Sequence, residues 1–199
     1  MGYIILFNTK RKEGDSMRNS LTKERMLEIE DTTKKLLSSF NLEESPCIDI
    51  VSLVEKDGFE VKTKELPLDS TGELHIRLGK RQIIVNTVFD NVENETDVIF
   101  KKSRFVTAHE YGHFILHNNG RKIANESRSR LRRTEITELE ADYFAKSILM
   151  PLKQFNKFYS ALKILYSSDL DQIINTLSAL FNVTKNKVKS RVEDLSILN

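Results

Sequence analysis

Tryptophan is absent from the 199 residues, and cysteine (one), proline (three) and glycine (seven) are scarce. A single thiol, Cys47, excludes an intramolecular disulfide framework and suits a reducing compartment. No basic neighbour marks Cys47 as a nucleophile, so it is expected as a buried structural thiol. The paucity of proline and glycine excludes collagen-like and low-complexity chains. No apolar run approaches the roughly 20 residues that span a bilayer. The short run Tyr3-Ile4-Ile5-Leu6-Phe7 lacks both the basic start and the cleavage site of a secretory signal, so no export and no membrane partner are indicated and a cytoplasmic location is expected. Neither sign of charge dominates: 31 Lys and Arg against 29 Asp and Glu leave a formal +2, which argues against bulk attraction to nucleic acid.

What is present is ordinary for a globular chain. Hydrophobic residues make up 39% and charged residues 30%, enough apolar material to bury a core and too much for wholesale disorder. The length suits one domain, or one with a small appendage.

The chain is organised around His109-Glu110-Tyr111-Gly112-His113, inside residues 103–119, which read as one helix. Side chains four apart on a helix point the same way, so His109 and His113 can offer two imidazole nitrogens to one ion with Glu110 beside them. Neutral imidazoles suit zinc, and a neighbouring carboxylate suits a general base. His117 is rejected as a third ligand, because at about 1.5 Å per residue it lies roughly 12 Å from His109 along an unbroken helix. It is assigned instead either to a supporting place behind the ligands or to the C-terminal end of that helix, where a cation is favoured.

A second helix begins near Thr137-Glu138-Leu139-Glu140-Ala141-Asp142 and stops at Pro151, which cannot donate a helical hydrogen bond. Glu138 and Asp142 share a face. Glu138 can therefore ligate the ion while Asp142 holds the outer nitrogen of a ligand histidine. Glu140 is the rival ligand, but it points about 200° round the helix from Glu138, and Thr137-x-x-Glu140 fits a capping box.

The ordered set His109-Glu110-x-x-His113, Glu138-x-x-Ala141-Asp142-x-Phe144-Ala145 and Leu149-Met150-Pro151, led in by Ile83-Ile84-Val85-Asn86 and Arg104-Phe105, resembles the ImmA/IrrE family of bacterial and phage metallopeptidases. The resemblance covers roughly residues 20–195. It implies a cytoplasmic, gluzincin-like enzyme with one Zn2+ ion that cleaves a DNA-bound repressor, often one encoded beside it on a mobile element. The expected fold class is α+β: a mainly helical zincin-like domain with a small β-hairpin beside the metal helix. Residues 1–19 are set apart as an N-terminal extension, 20–155 as the peptidase domain, and 156–199 as a C-terminal helical segment resembling a helix-turn-helix.

Around this centre, Leu21, Met26, Ile29, Leu36, Leu37 and Phe40 recur at helical spacing, giving a long packing helix. A short helix over 48–56 and a strand over 59–63 follow. Residues 74–78 and 82–86 flank Gly79-Lys80-Arg81 as a hairpin. In such enzymes a strand beside the metal helix pairs with the substrate backbone, so substrate alignment is assigned to the hairpin, with Ile83, Ile84, Val85 and Asn86 as contacts, and His75 as a candidate electrophile for the oxyanion. Residues 90–97 read as a solvated acidic loop, and the arginine-rich stretch 120–133 as a loop near the cleft mouth that could steer an acidic partner. Phe155, Phe158, Tyr159 and Tyr166 read as core. Residues 173–195 resemble a helix-turn-helix whose second helix carries Lys185, Lys187, Lys189 and Arg191, although DNA binding is not favoured.

The expected function is zinc-dependent hydrolysis of a peptide bond in a protein substrate, a helix-turn-helix repressor, with Glu110 as base. The alternatives from other classes are a DNA-binding regulator with a non-catalytic metal site and a module that sequesters a repressor without cutting it. Composition gives no oligomeric state.

Overall fold

The computed structural model describes residues 20–68, 70–77, 79–87, 96–117 and 134–198. The expected N-terminal extension, the greater part of the acidic stretch and the arginine-rich stretch lie outside the described residues.

Helix α1 (Lys23–Ser39) starts where the Thr22 side chain accepts a hydrogen bond from the Arg25 amide, and it buries Met26, Ile29, Glu30, Thr33 and Leu37. That is the three-and-four spacing of one helical face. Helix α2 (Ile50–Lys56) is capped by Asp49, which accepts from the Ser52 amide. Cys47, in the loop before α2, is exposed, contrary to the expected buried thiol. The buried neighbour there is Ile48, so the hydrophobic position is filled one residue later.

Three strands form one sheet in the order β1-β3-β2: β1 (Phe59–Lys64) runs parallel to β3 (Lys80–Asn86), and β2 (Gly72–Arg77) runs antiparallel to it. The expected hairpin is present, with a shorter connection than read from sequence, because Arg77 pairs directly with Lys80. The run Ile83-Ile84-Val85 is buried throughout, as suits a central strand. Period-two alternation puts Gly72, Leu74 and Ile76 of β2 on one face and Glu73, His75 and Arg77 on the other.

Helix α3 (Thr96–His117) starts earlier than residue 103, so the end of the acidic stretch is helical rather than loop. Asp97 stands in its first turn, where a negative charge is favoured, and pairs with Lys101 at 2.7 Å. Helix α4 (Glu135–Leu149) likewise begins ahead of Thr137. Its capping box is Thr134 with Thr137, so Glu140 is not the capping partner that the sequence suggested.

Helices α3 and α4 meet at Gly112. A Cβ there would lie 2.9 Å from the Phe144 ring, so only glycine lets α4 come this close. Phe144, Tyr111 and Ala145 are fully buried around that contact.

After Pro151 come α5 (Leu152–Leu165), α6 (Leu170–Phe181) and α7 (Lys185–Leu198). Phe155 and Phe158 pack on Phe181 at 5.5 and 6.1 Å between ring centres, so the aromatics serve the core as expected. Asn182, in the left-handed conformation, ends α6 and turns the chain into α7. One hydrophobic cluster runs from Met26 and Ile29 through Phe144 and Ile148 to Val188 and Leu195.

Within it lies a fully buried Arg191. Its guanidinium binds both oxygens of Glu30, at 2.5 and 3.1 Å, and the Met150 carbonyl at 3.0 Å. Tyr143 and Ser147 donate to the same Glu30 oxygen at 2.8 and 2.9 Å. Arg191 thus binds α7 to α1 and α4, whereas the sequence reading placed it among groove-facing cations.

Candidate metal centre

His109 and His113 stand one turn apart on α3, and Glu138 on the first turns of α4 faces them. The ligand atoms of these three residues all lie within 4.8 Å of one another. The Nε2 atoms of the histidines are 3.1 Å apart, and the Glu138 oxygens lie 3.1 Å from His109 Nε2 and 3.3 Å from His113 Nε2. Tetrahedral bonds of about 2.0–2.1 Å put ligand atoms about 3.3 Å apart, so the triad has the dimensions of one zinc-sized ion. The donor set, two imidazoles and a carboxylate, is that of a catalytic site with a fourth position open.

Asp142 Oδ1 lies 3.0 Å from His109 Nδ1. A carboxylate there accepts the Nδ1 proton and leaves the Nε2 lone pair for a metal, the role expected from the four-residue spacing on α4. Burial disfavours a charged His109, yet its hydrogen bonds to Asp142 and Glu138 and the nearby charges outweigh that cost and raise its pKa to about 9 in the metal-free chain. Burial pushes the Asp142 carboxyl up, but His109 and Lys187 overcome it and hold it below the usual carboxylate value.

Glu140 points elsewhere. Its oxygens lie 2.7 Å from Arg25 Nε and 3.5 Å from His117 Nδ1. It therefore anchors α1 to α4. His117 Nε2, 3.3 Å from the Thr137 carbonyl, bridges the end of α3 to α4. Tyr111 faces away from the centre and donates to Asp57 at 3.0 Å.

Glu110 is buried beneath β2: a Cβ on Gly72 would sit 3.4 Å from its Cγ. The same Cβ would be 2.4 Å from Val106 Cγ1, so glycine lets the sheet lie directly on the metal helix. A cleft of about 390 Å³ opens over the centre, with Thr71 and the first residue of β2, Gly72, on one side, Phe105 and Val106 beneath, and Glu138 and Lys187 beyond.

Two of the substrate assignments meet a different geometry. Strand β3 is central, its backbone paired with β1 and β2, so Ile83, Ile84, Val85 and Asn86 present no free strand edge. Asn86 instead fastens the loop before β2, accepting from the Leu66 amide at 3.0 Å and donating to the Ser70 carbonyl at 2.6 Å. The edge beside the cleft belongs to β2. His75 lies on the face of β2 opposite Gly72, 2.7 Å from Glu73, and so points away from the centre.

Sequence reasoning missed Gly72 and the inward placement of Lys187. Lys187 Nζ lies 3.4 Å from Asp142 Oδ2 and 3.6 Å from the centre of the Phe105 ring. Burial pulls its pKa below that of an ordinary lysine, against the pull of Asp142. The signal was present, since Val188, Arg191 and Leu195 mark the buried face of α7 and Lys187 adjoins it.

A helix bearing two histidines and a glutamate, a carboxylate from the next helix and a sheet laid across them form a candidate centre for a single metal ion in a mainly helical α+β fold. Residues 101–193 match the peptidase family model described as the IrrE N-terminal-like domain, which supports the resemblance to the ImmA/IrrE metallopeptidases over that stretch. The match contains the ligand triad, Glu110 and Asp142, and it extends through α5 and α6 into α7. No curated protein matches the chain. Among the described residues no helix is long and apolar enough to cross a membrane.

Proposed function

We propose that this protein is a cytoplasmic zinc-dependent endopeptidase that cuts a protein substrate, a helix-turn-helix repressor of a phage or mobile element, and so relieves repression. The observation that carries the reading is the convergence of His109, His113 and Glu138 at tetrahedral ligand spacings, inside a stretch that matches a metallopeptidase family model. Zinc held there would act as a Lewis acid on the scissile carbonyl and bring the pKa of its water towards about 7. Glu110, buried next to His109, accepts the proton of the attacking water and passes it to the leaving amine. Asp142 keeps His109 in its metal-binding tautomer. Strand β2 has an edge left unpaired among the described residues, to which a peptide can add as a further strand, aligning the scissile bond with little demand on sequence.

The test incubates the zinc-loaded chain with the repressor-like product of a neighbouring gene and follows fragments by mass spectrometry, with Glu110→Gln alongside. Wild type yields discrete fragments, and Glu110→Gln keeps its zinc and yields none. Relief of repression that survives in Glu110→Gln would instead establish sequestration without cleavage.

A further inference from the structure

We propose that Lys187 makes the cleft beside the metal centre a subsite for an acidic side chain of the peptide, next to the scissile bond. This rests on the peptidase reading and adds a substrate preference to it.

Lys187 comes from α7, far along the chain from both metal helices, yet its ammonium lines the same cleft as His109, Glu138 and Gly72. Among the described residues lining that cleft it is the one lysine or arginine. The carboxylates beside it have other duties, since Glu138 faces the two histidines and Asp142 holds His109. Lys187 is not used up by its own contacts. Its 3.4 Å separation from Asp142 is long for a charge-assisted hydrogen bond, its second contact is the face of Phe105, and an ammonium has three donors. Its side chain keeps 30% of its exposure, so a partner can reach it from the cleft.

The ammonium lies beyond Asp142, which itself lies behind His109, so it is placed for a substrate side chain rather than for an oxyanion at the metal. A peptide added to the edge of β2 that is unpaired among the described residues directs alternate side chains towards α3, over Phe105 and Val106. A glutamate or aspartate there lays its methylenes on the apolar floor and its carboxylate against the free donors of Lys187. A lysine or arginine at that position meets the like charge of Lys187.

The experiment has two readouts on the zinc-loaded full chain. Binding is measured in the Glu110→Gln background by fluorescence polarisation, with labelled, capped hexapeptides that differ only by Glu, Gln or Lys at one central position, the position being moved along the peptide. Cleavage is profiled with the wild-type chain on a randomised peptide mixture. The expected result is binding of the Glu peptide on the order of tenfold tighter than the Gln peptide at one position, and enrichment of acidic residues at the same place beside the cut. Lys187→Met brings the Glu and Gln peptides within about twofold, and Lys187→Glu turns the preference towards Lys, an inversion that a merely structural role for Lys187 would not produce. Equal binding of the Glu and Gln peptides to the parent chain, including no measurable binding of either, overturns the subsite, as does a Glu preference that survives Lys187→Met. Cleavage without acidic preference leaves the peptidase standing and removes the subsite. A Lys187-dependent binding preference without cleavage of any peptide does the reverse.

Discussion

Asp142 Oδ1 stands 3.0 Å from His109 Nδ1, on the side of the ring opposite the metal-facing nitrogen. The carboxylate fixes both the tautomer and the orientation of the ring, and it makes the imidazole a better ligand. Asp142→Asn keeps the shape but has an amide that can present N–H to the ring. Zinc affinity, measured by competition with a chromophoric chelator, should fall about 10- to 100-fold while thermal unfolding of the metal-free chain stays cooperative.

The two glutamates of α4 separate cleanly in the same assay. Glu138 completes the triad, and Glu140 is held by Arg25 at 2.7 Å on another face of the helix. Glu138→Ala should lose stoichiometric zinc. Glu140→Ala should retain it and lose about 1 kcal/mol of stability at most, the scale of a partly exposed ion pair. Zinc loss confined to Glu140→Ala would reverse the ligand assignment.

The candidate ligands were legible in the sequence because their spacing obeys local rules: His109 and His113 repeat at one helical turn, as do Glu138 and Asp142, and the structure brings His109, His113 and Glu138 together. Helical periodicity placed α1, and the Pro151 stop placed the end of α4, each to within a few residues for the same reason. The less legible features depend on contacts distant in sequence. Which hairpin strand forms the edge depends on β1, which inserts parallel to β3 from before the hairpin. Nothing within residues 74–86 encodes that. The partner of Arg191 is Glu30, at the other end of the chain, so a basic residue on an exposed-looking helix concealed a buried tie.

Metal and proton compete for His109. With its pKa raised from 6.5 to about 9 in the metal-free protein, the protonated ring contributes stability that is fully present below pH 6.5 and lost as the pH rises through about 9. The contribution is on the order of 3 kcal/mol. Denaturant melts of the metal-free chain should weaken across that window, and His109→Asn should flatten the dependence. Zinc must displace this proton, so its apparent affinity should rise about tenfold per pH unit below pH 9, with one proton released, as calorimetry in buffers of different ionisation enthalpy would show.

The Glu30 and Arg191 pair bears on whether α7 reads DNA. Removing one member leaves the other charged and buried, so Glu30→Ala and Arg191→Ala should each cost about 3–5 kcal/mol in urea unfolding. Lys189→Ala, on the exposed face, should stay within about 0.5 kcal/mol of wild type. A helix free to enter a groove would show the opposite: Arg191→Ala of unaltered stability with weakened, salt-sensitive DNA retention.

Gly72 gives a test of the sheet's position over the centre. A methyl group there would lie 2.4 Å from Val106 Cγ1 and 3.1 Å from the Ile84 carbonyl, closer than atoms in contact tolerate, so Gly72→Ala must push β2 away from α3 or turn Val106 aside. Overpacking of this kind costs about 1–3 kcal/mol. None of the three ligands lies on β2, so zinc content should be unchanged. Hydrolysis should fall, because the strand that aligns the peptide no longer sits over Glu110. Val106→Ala removes the clashing methyl, and the double variant should recover stability beyond the sum of the single effects, a coupling read from a double-mutant cycle. Activity that recovers with it would tie the loss to the height of the strand above the helix; stability restored without activity would mean that Val106 itself contacts the substrate.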